Sequence, residues 1–289
     1  MQNEREAANE ILTAVTSKYK FYAVGDGHSI VKHIKALISN SKPNPARQYV
    51  AEGLWFNKML VAACSSLHAI IVCPEKIYTV EAAKLVEEMA KACDQRFTVS
   101  AKTFEKISER EKPDGVMSIA YFSMTETGDI AFTDKSVVLV LDGVEIPGNV
   151  GTMIRVADGA GVDAVFICNR KARMTHPKLL QSSMGSVLNI PIVEFDGADD
   201  CYDALSSRGF EVYLTDSRAE KSYYEYPYGK RCAFVMGSER YGISRGWYDK
   251  NVKLLSIPMF GKCDSLNVGV AATVVCYEAS LKNKGYLKR

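Results

Sequence analysis

The sequence of 289 residues lacks both a long apolar run and a strong excess of one charge. No stretch approaches the roughly 20 consecutive apolar residues that span a bilayer. The first residues, MQNEREAANE, lack the charged-then-apolar pattern of a signal peptide, so we expect a cytoplasmic protein without a membrane partner. Lys and Arg number 36 against 34 Asp and Glu, which excludes a strongly basic arm. A local basic patch for nucleic acid remains compatible with that balance.

Histidine is scarce and cysteine is scattered. The four histidines show no HExxH-like spacing, and no two of the eight cysteines form a CxxC pair. These patterns give little support to a structural metal site, so we expect no metal. Scattered cysteines in a chain without a signal peptide are most simply reduced thiols.

The chain divides into four segments by composition and pattern. Residues 1–45 are predicted to be a helical N-terminal extension, because apolar residues recur there at helical spacing. Residues 46–124 alternate strand and helix patterns, as in a small α/β domain. The polar, turn-rich TETGDIAFTDK predicts a linker at residues 125–135. Residues 136–289 alternate buried strands with helices, which predicts an α/β domain with a parallel sheet and right-handed crossovers.

The loop IPGNVGTMIR follows a predicted strand, at the sheet edge where ligands of parallel sheets bind. Gly148 and Gly151 permit tight or left-handed turns, and Asn149 offers both a donor and an acceptor. Arg155 lies nearly two helical turns further on. On these residues alone, a glycine turn with a surface arginine is the simpler interpretation. The spacing is not the GxGxxG of a dinucleotide fold, so nicotinamide binding has weak support.

A second loop, FVMGSERYGIS, carries Glu239 and Arg240 between Gly237 and Gly242. A carboxylate there can orient a basic partner or accept a ligand hydroxyl, although a solvated turn explains the pattern equally well. The loop is not GxSxG, so a hydrolase nucleophile is not indicated.

A third segment, LLSIPMFGKCDSLNVGVAATVVCYEASL, combines a strand, a loop and a long apolar helix. We expect the strand to end at Pro258 and Ser265 to cap the helix. Cys263 has no base nearby in sequence and is interpreted as an ordinary loop thiol.

Together and in this order, NVGTMIR, FVMGSERYGIS and SIPM…SLNVGVA resemble the SpoU/TrmH family of the SPOUT superfamily, which are S-adenosylmethionine-dependent RNA ribose 2′-O-methyltransferases. The resemblance covers about residues 137–283 and includes HPKLLQSSMGSVLNIP. It implies a parallel-sheet SPOUT methyltransferase domain with a C-terminal trefoil knot, and a homodimer whose active site draws on both subunits. YVAEG and PDGVMSIA more loosely resemble the small, ribosomal-protein-like RNA-binding domain that often precedes it.

The resemblance also implies a role for each site residue. Arg155 acts at the ribose; we expect it to bind phosphate or the nascent alkoxide rather than act as general base, because a guanidinium has a pKa above about 12. Asn149 and Glu239 orient the arginine and the ribose. Ser265 and Asn267 shape the loop and hydrogen bond across the site. S-adenosylmethionine is expected against backbone groups of Thr215, Met236, Gly237, Ile257, Met259 and Leu266.

RNA contacts are expected from two basic clusters. One is Arg110 and Lys112 in EREKP, and the other is Arg170, Lys171 and Arg173 in NRKAR. A solvated surface explains either cluster equally well.

The resemblance favours 23S-type ribosomal RNA as the substrate, because several tRNA-acting members consist of little more than the catalytic domain. The arrangement is also similar to methyltransferases that make the ribosomes of antibiotic producers resistant. Three alternatives are a tRNA 2′-O-methyltransferase, a noncatalytic RNA-binding or ribosome-assembly factor on the same fold, and a nicotinamide oxidoreductase. The intact set of Asn149, Arg155, Glu239 and Asn267 disfavours the noncatalytic factor, and the missing GxGxxG disfavours the oxidoreductase.

Overall fold

The computed structural model describes residues 2–287, which form two compact units. The first unit runs to Ser123 and includes Thr175–Pro177, and the second contains Met124–Met174 and the residues from Lys178 onward. Residues 1, 288 and 289, at the outer limits of the predicted segments, lie outside the described residues.

The first unit contains a mixed five-stranded sheet in the order β1-β4-β3-β5-β2. Strand β5 is antiparallel to β2 and β3, whereas β4 is parallel to β1 and β3. Apolar runs such as LHAIIV and VMSIAY supply the buried central strands, as their sequence pattern predicts. The strands are β1 Tyr22–Ala23, β2 Gln48–Glu52, β3 Leu67–Val72, β4 Arg96–Thr98 and β5 Val116–Tyr121.

Five helices cover this sheet, and two of them come from the predicted N-terminal extension. Side chains of α1, at Ala8, Leu12 and Val15, are buried in the same core cluster as Ile70 of β3 and Met89 of α4. Residues 2–45 therefore supply core helices to the first unit, together with the edge strand β1, which the sequence did not predict. The helices are α1 Gln2–Lys18, α2 Ser29–Ile38, α3 Leu54–Ala62, α4 Val80–Ala92 and α5 Ala101–Glu105.

The second unit contains a six-stranded sheet in the order β11-β9-β10-β6-β7-β8. Every pair in it is parallel, which confirms the predicted α/β class. Its central strand, VVLVLD, is buried along its whole length, as expected for a strand covered on both faces. The strands are β6 Val137–Asp142, β7 Ala164–Cys168, β8 Ile192–Phe195, β9 Glu211–Thr215, β10 Cys232–Gly237 and β11 Lys253–Leu255.

The helices of this unit are α6 Pro147–Ala160, α7 Pro177–Ser183, α8 Ala198–Ser206 and α9 Val268–Asn283. Helix α6 packs against α9. Within the predicted linker at 125–135, Ile130 and Phe132 pack against the core of the second unit. This polar segment therefore lies on the sheet domain that follows it.

Three local expectations are wrong. Gly148 and Gly151 lie inside the first turns of α6, with negative φ, rather than in a turn before it. At Gly151 an added Cβ would lie 2.2 Å from the carbonyl oxygen of Leu179, so this glycine permits close packing of α6 on α7 and not a left-handed turn. Strand β11 ends at Leu255 and not at Pro258.

The third error concerns the cap of the long apolar helix. The side-chain oxygen of Asn267, and not that of Ser265, accepts the backbone N–H of Gly269 and caps α9. The Ser265 hydroxyl donates instead to Asp264, at 3.2 Å.

Candidate functional site

The carboxyl ends of β9, β10 and β11 surround a cavity of about 450 Å³. Parallel sheets bring their strand ends to one edge, where ligands are usually bound. Residues 264–268, which lead into the first residue of α9, form another wall. The six residues predicted to contact a cofactor all line this cavity: Thr215, Met236, Gly237, Ile257, Met259 and Leu266.

The charges on this cavity wall are acidic. Asp216, Glu239 and Asp264 line it, and no lysine, arginine or histidine is among the described lining residues. The remaining wall is largely apolar. Such a wall complements a ligand that combines a flat apolar group with a positive charge.

A tight hairpin at residues 238–242 forms one side of the cavity. Ser238 and Gly242 exchange two backbone hydrogen bonds, of 3.0 and 2.8 Å, and Gly242 has φ of +68°. An added Cβ at Gly237 would lie 2.3 Å from the carbonyl carbon of Gly242. Glycine at 237 is therefore required by the close approach of two backbone segments, which a larger residue would push apart.

Three of the predicted catalytic residues meet at the rim. The Asn149 amide, in the first turn of α6, donates to the carboxylate of Glu239 in the hairpin. The Asn267 amide lies 3.4 Å from the Asn149 side-chain oxygen. Glu239 and Asn267 also line the cavity. Three separate segments thus place donors and acceptors at one point, where they can orient a polar group of a substrate.

The other two predicted catalytic residues are placed differently. Ser265 lines the cavity without touching this trio. Arg155 is exposed on α6, and within residues 2–287 of this chain its guanidinium has neither a hydrogen-bond nor an ion-pair partner. The expected contact of Asn149 and Glu239 with Arg155 is therefore not formed within one chain.

Asp142, at the end of β6, supports the site and was missed in the sequence. Its buried carboxylate accepts the Asn169 amide at 2.6 Å and the backbone N–H of Ser244 at 2.6 Å. It thereby ties the ends of β6 and β7 to the segment that follows hairpin 238–242. An acidic residue closing the apolar run VVLVLD is the signal that identifies it, because a buried carboxylate needs such partners.

The basic residues predicted to contact RNA are all exposed on the surfaces of the two units. In the first unit, Arg110 pairs with Asp114 at 2.8 Å and packs over Gly53, whereas Lys112 is exposed. In the second unit, Arg170 pairs with Glu194, and Lys171 and Arg173 are exposed.

Within the described part of the chain, no helix is both long and apolar enough to cross a membrane. The same residues contain no group of three or more His, Cys, Asp or Glu side chains arranged to hold a metal ion.

Comparison with known proteins identifies the family. Residues 136–277 match the SpoU rRNA Methylase family, and residues 28–118 match the MRM3-like substrate binding domain. The chain is 33% identical over 183 residues to the 23S rRNA (guanosine(2553)-2′-O)-methyltransferase RlmP of Bacillus subtilis, covering 63% of this chain and 71% of that protein. The chain belongs to the SpoU rRNA methylase family.

Other relatives agree with this assignment. A putative TrmH family tRNA/rRNA methyltransferase of Staphylococcus aureus is 35% identical over 147 residues, which cover 51% of this chain and 59% of that protein. The predicted resemblance is confirmed, and with it the class of S-adenosylmethionine-dependent RNA methyltransferases.

Solved structures of methyltransferases share the fold. An AdoMet-bound rRNA methyltransferase from Sinorhizobium meliloti has a TM-score of 0.82 at 24% identity, over 93% of this chain and 99% of that one. The SpoU methyltransferase AviRb from Streptomyces viridochromogenes has a TM-score of 0.77 at 20% identity, over 90% and 99%. Each likeness covers at least 90% of this chain and therefore includes residues of both units.

Proposed function

We propose that this SpoU-family protein methylates a ribose 2′-hydroxyl of large-subunit ribosomal RNA. The observation that carries the proposal is the Asn149–Glu239–Asn267 trio at the rim of the acidic cavity. A ligand held in that cavity would present its reactive group where these polar side chains can hold the acceptor oxygen.

The cavity fits S-adenosylmethionine by charge and by size. About 450 Å³ lies within the range of small-molecule sites. The bound cofactor supplies a methyl group on a cationic sulfonium and has a net positive charge. Glu239 and Asp264 complement that charge, while the backbone at Gly237 and the apolar wall offer surface for adenine. Ser265 and Leu266 close the opposite side.

The chain's residues act mainly by positioning. Glu239 and Asn149 hold each other and orient the ribose, and Asn267 adds a further polar contact while capping α9. Holding reacting groups in line contributes up to about 7–11 kcal/mol to such a displacement. Arg155 binds a phosphate or the developing alkoxide, because a guanidinium is a cation with several N–H donors.

We propose that Arg155 serves the active site of a second copy of the chain in a homodimer. Its side chain is exposed and has no polar partner within the described residues of its own chain. Helix α9, which packs against α6, exposes the apolar side chains of Val270 and Tyr277, and Ile146 is exposed just before α6. Exposed apolar residues on and beside two packed helices are the surface expected of a two-fold interface.

Mixing two inactive variants tests the shared site. Arg155→Ala and Glu239→Ala are each expected to lose activity. After the two chains are mixed and allowed to exchange, about one quarter of the sites should combine an intact Arg155 with an intact Glu239. Recovery of about that share of wild-type activity supports the shared site. No recovery, with mixed dimers shown by mass spectrometry, contradicts it.

Ribosomal RNA is favoured as substrate by the residues that match a substrate-binding domain in front of the methylase domain. The B. subtilis relative named above is a 23S rRNA enzyme. We infer that Lys112 of the first unit and Lys171 of the second contribute to phosphate binding, with Arg110 and Arg170 contributing once their carboxylate partners are displaced. Arg173 belongs to this inference through its place in the same basic cluster as Arg170 and Lys171.

Transfer RNA is the second candidate, because several relatives are described as tRNA/rRNA methyltransferases. Radiolabelled methyl transfer to purified 23S rRNA and to bulk tRNA, offered separately, decides between them. We expect label on 23S rRNA only. Label confined to tRNA would move the protein to the second candidate.

Two further features belong to this proposal. We infer that residues 136–289 contain the trefoil knot of SPOUT methyltransferases, and that the protein works in the cytoplasm, where ribosomal RNA is available. Support for both comes from the family match over residues 136–277.

A further inference from the structure

A second cavity, of about 680 Å³, lies beside the proposed cofactor cavity. The two cavities share part of their walls, namely Thr215, Asp216, Ser217, Gly242 and Ile243. Hairpin 238–242 separates them: Glu239 lines the first cavity and Tyr241 lines the second. A ligand in the second cavity would therefore lie one loop away from the polar trio.

The second cavity differs from the first in its charges. Arg218 and Arg245 line it, together with Asp216 and Asp249. Arg245 is exposed, and its guanidinium has no hydrogen-bond or ion-pair partner among residues 2–287. The first cavity has three carboxylates and no cation among its described lining residues. The first thus complements a positively charged ligand, whereas the second offers, among its described lining residues, one unpaired cation, Arg245, that a phosphate group could contact.

Asp216 makes part of the second cavity rigid. Its carboxylate accepts the Nε and Nη2 atoms of Arg218 at 3.0 and 2.8 Å, and the hydroxyl of Tyr248 at 2.7 Å. The guanidinium holds the pKa of Asp216 well below its usual range, so this carboxylate remains charged at neutral pH. Asp216 is thereby a positioning residue, which holds an arginine and a tyrosine in place.

Aromatic side chains stand at the same opening. The Tyr241 side chain is 69% exposed, and Tyr248 is also exposed. The guanidinium of Arg240 lies 5.1 Å from the centre of the Tyr241 ring, which adds another positive charge at the rim. Exposed rings between arginines are the surface on which unpaired bases stack while cations contact their phosphates.

We propose that the second cavity is a subsite for a nucleotide that flanks the target ribose in the RNA strand. Arg245 and Arg218 contact its phosphate, and Tyr241 stacks on its base. Asp249 offers an acceptor to the N–H groups of that base. This inference rests on the proposed function, and it assigns the RNA contact to one place in the second unit.

Steady-state methyl transfer with three variants tests the subsite. Arg245→Ala and Tyr241→Ala remove the phosphate and stacking contacts, and Tyr241→Phe keeps the ring. Lys230→Ala is the matched control, because Lys230 is an exposed cation that precedes β10, at the opposite edge of the sheet. We expect each of the first two variants to raise KM for 23S rRNA about tenfold, as for loss of one stacked base. Tyr241→Phe and Lys230→Ala should stay near wild type.

Calorimetry with S-adenosylhomocysteine tests whether the second cavity instead holds the amino-acid end of the cofactor. We expect the affinity for S-adenosylhomocysteine to be unchanged in Arg245→Ala and Tyr241→Ala. In Arg245→Ala, the number of ions released on RNA binding, taken from its salt dependence, should fall by about one. Weaker cofactor binding with unchanged KM for RNA would assign the cavity to the cofactor and overturn the proposal. If the cofactor affinity and the KM for RNA are both unchanged, the proposal is also overturned.

Failure of the proposed function gives a different result. If the wild-type protein methylates no RNA, fluorescence anisotropy with labelled 23S rRNA fragments still reports the subsite. Weaker RNA binding by Arg245→Ala and Tyr241→Ala, but not by Lys230→Ala, would then support an RNA subsite on a noncatalytic protein. Equal binding by all variants would refute the subsite independently of catalysis.

Discussion

The Asn149 side-chain amide donates to the Glu239 carboxylate and so joins the first turn of α6 to hairpin 238–242. These residues lie 90 positions apart in the sequence. Because Asn267 lies within 3.4 Å of Asn149, one side chain connects three segments that each carry part of the family resemblance. The bond therefore couples the hairpin that lines the cavity to the helix that carries Arg155.

Two variants, one that removes the Asn149–Glu239 hydrogen bond and one that exchanges its donor and acceptor, test its contribution to turnover. Asn149→Asp removes the donor and places a second carboxylate against Glu239, so we expect kcat to fall about 10- to 100-fold, in line with the 1.5–3 kcal/mol of a hydrogen bond to a charged group. The double variant Asn149→Asp with Glu239→Gln restores an amide–carboxylate pair and should recover part of the loss.

Asn189→Asp is the matched control, because Asn189 donates to Asp158 at 3.1 Å on the exposed surface. Its kcat should remain near wild type. A single variant Asn149→Asp with wild-type kcat would show that the Asn149–Glu239 bond does not contribute to turnover.

Cofactor affinity should depend on Gly237. In Gly237→Ala the new methyl group would meet the backbone of Gly242 at 2.3 Å, which forces the hairpin away from β10. We expect S-adenosylmethionine binding, measured by calorimetry, to weaken at least tenfold. Gly128→Ala serves as the control, since an added Cβ there meets nothing within 4 Å. Equal affinities of the two variants would argue against a cofactor position beside this hairpin.

The two glycines of α6 should respond in opposite ways to alanine. Gly148→Ala adds a methyl group in open space and improves helix propensity, so the free energy of unfolding should rise by up to about 1 kcal/mol. Gly151→Ala places a methyl group 2.1 Å from the Ser182 hydroxyl and 2.2 Å from the Leu179 carbonyl oxygen, and should cost about 1–3 kcal/mol. Urea unfolding of both variants measures the difference. Equal stabilities would mean that α6 and α7 pack less closely than described.

The sequence predicted much of the second unit, because strands such as β6 and β10 are buried apolar runs and each of its three motifs is a continuous stretch. The parallel sheet and α6 followed from these patterns, whereas the residues that line the cavity were expected from the family resemblance. What could not be predicted depends on contacts between distant residues. Asn267 rather than Ser265 caps α9, and Asp142 gathers two strand ends through its hydrogen bonds.

In the first unit, too, contacts between distant residues decide features that the sequence pattern does not show. The helical pattern of the first forty residues was clear, but the place of α1 in the core depends on the faces of β3 and α4, which lie more than 50 residues after Val15. The two-residue strand β1 is too short to leave a periodic signal, and it is specified by its pairing with β4. Arg155 is a further case, since its exposed side chain meets none of the other predicted catalytic residues within the described part of the chain.

The stability of the first unit should fall below neutral pH because of His68. Burial, with a smaller contribution from His33, lowers the pKa of His68. The imidazole lies 3.0 Å from the Tyr121 hydroxyl, and its ring is 6.2 Å from that of His33. An unfolded histidine has a pKa of about 6.5, so the unfolded state binds the proton more readily. The stabilising contribution is therefore full above about pH 6.5 and declines as the pH falls below it.

Urea unfolding of the wild-type protein at about pH 7.5 and about pH 5.5, followed by circular dichroism, measures this effect around the free-histidine pKa. We expect a lower midpoint at the acidic pH, and a smaller difference between the two pH values in His68→Gln. An identical pH dependence in the variant would assign the effect to other groups.

Methyl transfer from radiolabelled S-adenosylmethionine to purified 23S rRNA is the most direct test of the central claim. It should be measured for the wild type, Arg155→Lys and Arg155→Ala, with RNA affinity determined in parallel. We expect label on ribose 2′-oxygens with the wild type, measurable turnover with Arg155→Lys, because a cation remains, and almost none with Arg155→Ala. Total loss in Arg155→Lys at unchanged RNA affinity would contradict the assigned role of Arg155. Absence of label with the wild type, on both 23S rRNA and tRNA, together with absence of cofactor binding, would contradict the claim that this chain is an RNA methyltransferase.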